Sequence, residues 1–143
     1  MRGWVLDTSI VMAWCLPDEA SPVADRFFGS LAPTTPLRVP GLFWYEVAQV
    51  LSAARRRGRL LPNESTWIPQ LLEALPLETS ASSPKELRSL TDLALQTGLS
   101  AYDAAYLELA TRLECGLATC DRQLARVAQD RGVTLWEPTW EPT

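Results

Sequence analysis

The sequence has 143 residues, of which 47% are apolar and 21% charged. This length and balance suit one globular domain and are too short for two ordinary ones. The formal net charge of −4 argues against binding of nucleic acid through a general positive field. No apolar run approaches the roughly 20 residues that span a bilayer, and Asp7 interrupts the apolar N-terminal stretch. We therefore expect no membrane association and no secretion signal.

The inventory of reactive side chains excludes several classes of enzyme. There is no histidine, so Ser-His and Cys-His nucleophile pairs and imidazole metal sites are excluded. The three cysteines, Cys15, Cys115 and Cys120, are odd in number and form no Cys-x-x-Cys pair. They indicate neither a disulfide framework nor a zinc knuckle, and they favour a reducing, cytoplasmic location.

Short apolar segments alternate with amphipathic ones along the chain. The apolar segments predict strands over 3–6, 37–39, 75–77, 117–119 and 133–135. Apolar residues at helical spacing predict helices over 10–16, 20–31, 42–57, 67–72, 84–97, 100–113 and 123–131. The alternation predicts an α/β fold with a central parallel sheet of four to five short strands and helices on both faces. We assign 1–135 to this domain and 136–143, where Trp-Glu-Pro-Thr occurs twice in succession, to an extended C-terminal tail.

Four acidic residues are predicted to lie at one edge of the sheet. Asp7 and Asp121 follow predicted strands, and ligands of open parallel sheets gather outside the carboxyl ends of the strands. Glu46 and Asp103 lie near the starts of predicted helices, which face the same edge in a right-handed β-α-β winding. We therefore expect the four carboxylates to share one crevice.

Four neighbouring carboxylates need a counterion, and oxygen ligands without histidine or cysteine select hard cations such as Mg²⁺ or Mn²⁺. Metal ions held in this way activate water and stabilise a phosphodiester under in-line attack, without histidine. The acid set therefore favours metal-dependent hydrolysis of phosphodiesters.

Each acid also has a purely structural interpretation. Asp103 forms a capping box with Ser100, the helix dipole favours Glu46 near a helix start, and Asp121 suits the N-cap of the last helix. Asp7 is the hardest to explain in this way, because a carboxylate directly behind a buried strand is costly without a partner.

Four segments together resemble the PIN-domain ribonucleases, and most closely the VapC-type toxins of bacterial toxin-antitoxin pairs. They are Val5 to Ser9 around Asp7, Pro40 to Ala48 around Glu46, Leu99 to Tyr106 around Asp103, and Ala118 to Leu124 around Asp121. The likeness extends from about Gly3 to Leu135 and keeps the family's order and spacing. One position departs from it, since Gln49 stands where family members often carry Asn.

The resemblance implies a three-layer PIN-like fold and an endoribonuclease that depends on Mg²⁺ or Mn²⁺. It implies an RNA substrate, a cognate antitoxin protein that restrains the toxin, and a homodimer. Transferred residue by residue, it makes Asp7, Glu46, Asp103 and Asp121 the catalytic, metal-binding acids, with Ser9 and Thr119 as supporting polar residues.

Two other functions share some of these features. A PIN-like module that has lost activity could serve as a protein-binding partner, although retention of all four acids argues against this. A receiver or haloacid-dehalogenase-like phosphoryl acceptor also uses an Asp at a strand end, but such sites need a lysine near the phosphate. The only lysine, Lys85, lies at a predicted helix start with no strand end beside it.

Two further groups of residues have both a structural and a functional interpretation. Arg55, Arg56, Arg57 and Arg59 at a helix C-terminus suit either the helix dipole or phosphate contact. Trp14 and Trp44 flank the proposed site and suit either packing, the default for tryptophan, or stacking on a base.

Overall fold

Strands and helices alternate along the chain in the computed structural model, which describes residues 2–19 and 21–137. Within these residues four strands form one sheet: β1 (Trp4–Leu6), β2 (Leu37–Pro40), β3 (Leu77–Ser80) and β4 (Gly116–Ala118). The same range contains seven α-helices: α1 (Thr8–Cys15), α2 (Pro22–Ser30), α3 (Leu42–Arg56), α4 (Glu64–Ala74), α5 (Leu87–Thr97), α6 (Ala101–Leu113) and α7 (Arg122–Asp130). No helix in this part of the chain is both long and apolar enough to cross a membrane.

The sheet is parallel throughout, in the order β3-β2-β1-β4. In the central strand β1, Val5 lies opposite Arg38 of β2 and Leu117 of β4. The carboxyl ends of all four strands consequently meet at one edge, and we call this the carboxyl edge of the sheet. The α/β class with a parallel sheet of four to five strands is confirmed.

The core lies between the sheet and the helices that cover it. Val5 and Leu6 of β1 are completely buried, as is typical of a parallel strand covered on both faces. Phe27, Phe43 and Tyr106 are the largest side chains buried around them. β3 is the exception, since it lies at one end of the strand order and its residues are only half-buried or exposed.

Side-chain caps fix the N-termini of several helices; those at Ser100 and Asp121 are predicted from the sequence, whereas those at Asp7 and Ser21 are not. The side chains of Asp7, Ser21, Ser100 and Asp121 each accept a hydrogen bond from a backbone N–H three residues later. Asp7 follows β1 directly and Asp121 follows β4 after two residues, so the first turns of α1 and α7 start at the carboxyl edge.

Several predicted boundaries differ from the structure. β3 covers Leu77–Ser80 and not 75–77, and α4 extends beyond the predicted 67–72 at both ends. The predicted strand 133–135 is reduced to a single parallel bridge between Leu135 and Leu117 of β4. The pairing consists of two backbone hydrogen bonds: the N–H of Leu117 donates to Thr134, and the N–H of Trp136 donates to Leu117.

The first two residues of the predicted tail contact α2. The Trp136 ring packs edge-on against Phe27, with 5.4 Å between ring centroids. Arg26 donates to both carboxylate oxygens of Glu137, at 2.7 and 2.9 Å. The remainder of the tail, 138–143, lies outside the described residues, so the domain boundary at 135 stays a prediction.

Candidate active site

Asp7 is a buried acid at the carboxyl edge, with only 5% of its surface exposed. The hydroxyl of Ser9 donates to Asp7 Oδ1 at 2.6 Å, and the hydroxyl of Thr119 donates to Oδ2 at 2.6 Å. The backbone N–H of Ile10 also donates to Oδ1, at 3.2 Å. These three donors balance much of the cost of burying the carboxylate.

The two hydroxyls that hold Asp7 are themselves oriented by the backbone. The N–H of Cys120 donates to Ser9 Oγ at 2.8 Å, and the N–H of Asp121 donates to Thr119 Oγ1 at 2.9 Å. Each hydroxyl therefore accepts from the segment after β4 and gives its single proton to Asp7. The positions of Asp7 and Asp121 are linked through these side chains.

Glu46 lies in the second turn of α3 and is held by two hydroxyls from other parts of the chain. Thr8 donates to Glu46 Oε1 at 3.0 Å, and the buried Tyr106 hydroxyl donates to the same oxygen. The Thr8 and Tyr106 oxygens are also 2.9 Å apart. Two hydroxyl protons cannot fill three such contacts, so donation of both to the carboxylate leaves the Thr8–Tyr106 contact without a proton.

Asp103 and Asp121 are bonded within their own helices. Asp103 lies in the first turn of α6, where its N–H donates to Ser100 Oγ at 3.1 Å. Asp121 caps α7, and its Oδ1 accepts from the N–H of Leu124 at 3.0 Å. Both side chains are half-buried. The cap at Asp121 is thus correct and uses one carboxylate oxygen, whereas in the cap of α6 the hydrogen bond uses the N–H of Asp103 and not its carboxylate.

The carboxylates influence one another electrostatically. Burial raises the pKa of Asp7 from 3.8 to about 6, against the lowering effect of its hydrogen bonds, and the charge of Asp121 adds to the rise. The pKa of Asp103 is raised first by burial and then by the charges of Asp121 and Glu46. The four acids therefore share one negative field, which no Arg or Lys of the described residues neutralises through an ion pair.

The donor set suits a hard cation, although the carboxylates do not close around one point. Among the described residues, no three His, Cys, Asp or Glu side chains stand close enough to hold one ion together. Repulsion between like charges opposes such a closed arrangement without a counterion. The oxygens nevertheless fit, because Glu46 Oε2 and Asp121 Oδ2 make no hydrogen bond to the described residues and Asp7 Oδ2 accepts only one.

The structure places all six residues predicted for the site at or near the carboxyl edge. Ser9 and Thr119 donate hydrogen bonds to Asp7, and these bonds would be their predicted supporting role. Thr8 and Tyr106, whose hydroxyls hold Glu46, were not predicted from the sequence. A usable signal was present for both, since Thr8 directly follows Asp7 and Tyr106 lies one helical turn after Asp103.

The arginine cluster at the end of α3 and the two tryptophans near the site have different surroundings. Arg59 is bound by Asp18 and Glu19, whereas Arg55, Arg56 and Arg57 are exposed and form no ion pair in the part of the chain that the structure describes. Trp14 stacks on Phe28 at 4.2 Å between centroids, and Trp44 Nε1 donates to Thr79 at 2.9 Å. Trp14 therefore packs against α2, and Trp44 joins α3 to β3 through a hydrogen bond. Gln49 is exposed on α3.

Comparisons with known proteins agree on one family. The profile of the PIN domain matches residues 4–130. Ribonuclease VapC3 of Pyrobaculum aerophilum is 36% identical over 122 residues, which are 85% of this chain and 91% of that protein.

Two solved structures share the fold. The crystal structure of PAE2754 from Pyrobaculum aerophilum superposes with a TM-score of 0.67 at 23% identity, covering 93% of this chain and 83% of the other. That of FitAcB from Neisseria gonorrhoeae gives 0.64 at 16% identity, covering 94% and 97%. At these identities the likeness concerns the fold alone.

Proposed function

Because the chain belongs to the PIN-domain family, in its VapC type, we propose that it is a metal-dependent endoribonuclease and the toxin of a toxin-antitoxin pair. The observation that carries the proposal is the convergence of Asp7, Glu46, Asp103 and Asp121 at the carboxyl edge of the sheet, in one uncompensated negative field. The similarity to Ribonuclease VapC3 over most of both chains supports RNA as the substrate.

The four acids would hold the metal ion, for which we propose Mg²⁺ or Mn²⁺. Glu46 Oε1 is engaged by two hydroxyls, which leaves Oε2 available, and Asp7 Oδ2 accepts a single hydrogen bond, from Thr119, and has room for a further partner. Carboxylate oxygens without nitrogen or sulfur donors are the ligands that these two ions prefer.

Each residue has a distinct part in hydrolysis of the phosphodiester. A metal ion held by the four acids would supply an activated water and stabilise the negative charge that develops on the phosphate. Asp7 and Glu46 provide fixed oxygens, because Ser9, Thr119, Thr8 and Tyr106 keep their carboxylates in place. Asp103 and Asp121 complete the ligand set from the first turns of α6 and α7.

The test is cleavage of RNA by the wild type and by Asp7→Asn, with Mg²⁺, Mn²⁺ or a chelator. The amide keeps the shape of the side chain but removes its charge, so cleavage should fall at least about 100-fold. Asp92→Asn is the matched control, because Asp92 is an exposed acid on α5, away from the site. Undiminished cleavage by Asp7→Asn would remove the assignment of the site. A wild type that binds a partner but cuts no RNA with either ion would favour the inactive protein-binding module.

We also propose a cognate antitoxin as the protein partner. The uncompensated carboxylates favour a partner that brings a basic residue to them and packs an apolar helix beside them. The product of the neighbouring gene should co-elute with this chain in gel filtration and inhibit its cleavage of RNA. Independent elution would remove the toxin role while the nuclease role stands.

A homodimer and a cytoplasmic location complete the proposal. Cys15, Cys115 and Cys120 are free thiols, which a reducing compartment maintains. Sedimentation of the purified chain tests the dimer, and fractionation of cells that express it tests the location. A monomer would contradict the proposed homodimer, and a periplasmic or secreted product would contradict the proposed location.

A further inference from the structure

A cleft of about 240 Å³ opens at the carboxyl edge of the sheet, on the side of β3. It lies between the carboxyl ends of β2 and β3, the start of α3 and the N-terminal part of α5, and it extends along most of α6. Its wall includes Pro40, Leu42, Ser80, Tyr102, Ala105 and Leu109. We call it the β3-side cleft.

The β3-side cleft adjoins the four acids through two shared helices. Leu42 in its wall is four residues before Glu46 on α3, which is about 6 Å along the helix axis. Ala101 and Tyr102, also in the wall, immediately precede Asp103 on α6. One end of the cleft therefore lies next to Glu46 and Asp103 along these two helices.

The charges in the cleft exclude an anionic occupant. Its ionisable residues are Glu86, Glu108 and Arg112. Arg112 donates to Glu108 at 2.8 Å and lies 3.8 Å from Glu86, so its charge is already matched and one negative charge remains. A phosphate group is repelled, and a neutral part of a ligand is accepted.

The lining suits a flat ligand with a polar rim. Pro40, Leu42, Leu90 and Leu109 form apolar walls. At the loop after β3, the hydroxyls of Ser80 and Ser82 form no side-chain hydrogen bond with the described residues. Ser83, in contrast, donates its proton to Glu86. The cleft thus combines apolar faces with two uncommitted hydroxyls, which match the faces and edges of a nucleobase.

An exposed aromatic ring stands at the mouth of the cleft. Tyr102 is 66% exposed although it adjoins the acid cluster, and an exposed phenol is a platform on which any base can stack. Tyr45 offers an internal comparison. It also immediately precedes a candidate acid, Glu46, and is 81% exposed, but it does not line the cleft.

We propose that the β3-side cleft binds one nucleobase of the RNA beside the scissile phosphate, with Tyr102 stacking on it, and so gives the cleavage a base preference at that position. The proposal rests on the proposed function, because it takes RNA as the substrate. The hydroxyls of Ser80 and Ser82 would contact the base edge.

The first experiment is independent of catalysis and of metal. The four neutral nucleosides are titrated separately, to millimolar concentrations and with a chelator present, while backbone amide NMR signals are followed. At least one nucleoside should give saturable shifts at Ser80 to Ser83 and Ala101 to Tyr102. Ala101→Leu, a change at an exposed wall position that fills the cleft, should abolish them. No saturable shift with any nucleoside would overturn the proposal.

The second experiment reads the base preference from cleavage. An RNA pool with randomised sequence is digested and the cut ends are sequenced. Tyr102→Ala should reduce the preference at one position next to the cut by about tenfold, whereas Tyr102→Phe should retain it because the ring remains. Tyr45→Ala is the matched control and should leave the preference unchanged. An identical preference in Tyr102→Ala and the wild type contradicts the proposal.

The two experiments separate the possible failures. If the wild type cuts no RNA, the proposed function fails, and the nucleoside titration still decides whether the cleft binds a base. If Ala101→Leu or Tyr102→Ala converts a sedimenting dimer to a monomer, the cleft is an interface between two copies and the nucleobase proposal is wrong.

Discussion

Asp7 and Glu46 differ from Asp103 and Asp121 in how the surrounding protein holds their carboxylates. The first two, which we call the anchored pair, receive hydroxyl protons from distant parts of the chain, with Thr119 lying 112 positions from Asp7. The other two, the open pair, receive no hydroxyl proton from a distant part of the chain that the structure describes. The N–H of Leu124 donates to Asp121 Oδ1, and Asp103 donates its own N–H to Ser100.

This difference separates two tasks within one site. The anchored pair has defined oxygen positions before any ligand arrives, because each of its carboxylates is bonded by a buried residue, Thr119 for Asp7 and Tyr106 for Glu46. The open pair is half-buried and is held mainly at the backbone, so its carboxylates can turn when an ion enters. A fixed half and an adjustable half explain why the free oxygens fit a cation although no three acids already surround one point.

The largest expected effect is the pH dependence of stability due to Asp7. Its folded pKa of about 6 exceeds the unfolded value near 3.8, so the folded state binds more protons between these values. Stability therefore falls as the pH rises through this window, and the loss of about 3 kcal/mol is complete above it. Urea unfolding from pH 4 to 7.5 with a chelator measures the slope.

Asp7→Asn is expected to flatten that slope, whereas the surface variant Asp92→Asn should keep it. An unchanged slope in Asp7→Asn would show that another group causes the pH dependence.

The next effect concerns the hydroxyl that links the anchored pair to the open pair. Thr119→Val keeps the shape of a buried side chain but removes the proton donated to Asp7 and the acceptor for the N–H of Asp121. The free energy of unfolding should fall by about 2 kcal/mol, because buried polar groups lose their partners. Thr119→Ser keeps the hydroxyl and should lose less. Equal losses in the two variants would mean that the methyl group, and not the hydrogen bonds, is important.

A smaller effect is expected from Tyr106, which acts on metal binding through Glu46. Tyr106→Phe keeps the buried ring and removes one of the two hydroxyls that hold Glu46 Oε1. Loss of a residue that orients a ligand typically weakens metal binding, and we expect about a tenfold lower affinity for Mn²⁺. Calorimetric titration measures it, with Tyr102→Phe as the matched loss of an exposed hydroxyl. Equal affinities in the two variants would leave Tyr106 with a packing role alone.

Features that depend on neighbouring residues could be predicted from the sequence, whereas contacts between distant residues could not. The family inferred from four segments is confirmed, and so is the α/β fold, because buried strands and helix caps are local signals. The caps at Ser100 and Asp121 could be predicted for the same reason. Tyr106 could not be assigned to Glu46, since these residues are 60 positions apart and meet only in the assembled fold.

Edge features were the least predictable from sequence. β3 is the most exposed strand, so burial does not mark its ends, and it begins two residues later than expected. The docking of Trp136 on Phe27 depends on the position of α2 and has no local signal. The β3-side cleft is likewise formed by elements far apart in the sequence.

The smallest expected effect tests the open pair itself. Burial and the charges of Asp121 and Glu46 disfavour ionised Asp103, so its charge costs stability at neutral pH when no cation is present. Asp103→Asn should therefore melt higher than the wild type in chelator, by about 2 °C for a gain of roughly 0.5 kcal/mol at a half-buried site. It should also gain less from added Mn²⁺, since one ligand is lost.

Glu46→Gln should show no such rise in melting temperature, because the hydrogen bonds from Tyr106 and Thr8 weaken when their acceptor loses its charge. Melting curves of both variants and of Asp92→Asn, with chelator and with Mn²⁺, decide the matter: the same shift in Asp103→Asn and Glu46→Gln would abolish the distinction between the two pairs.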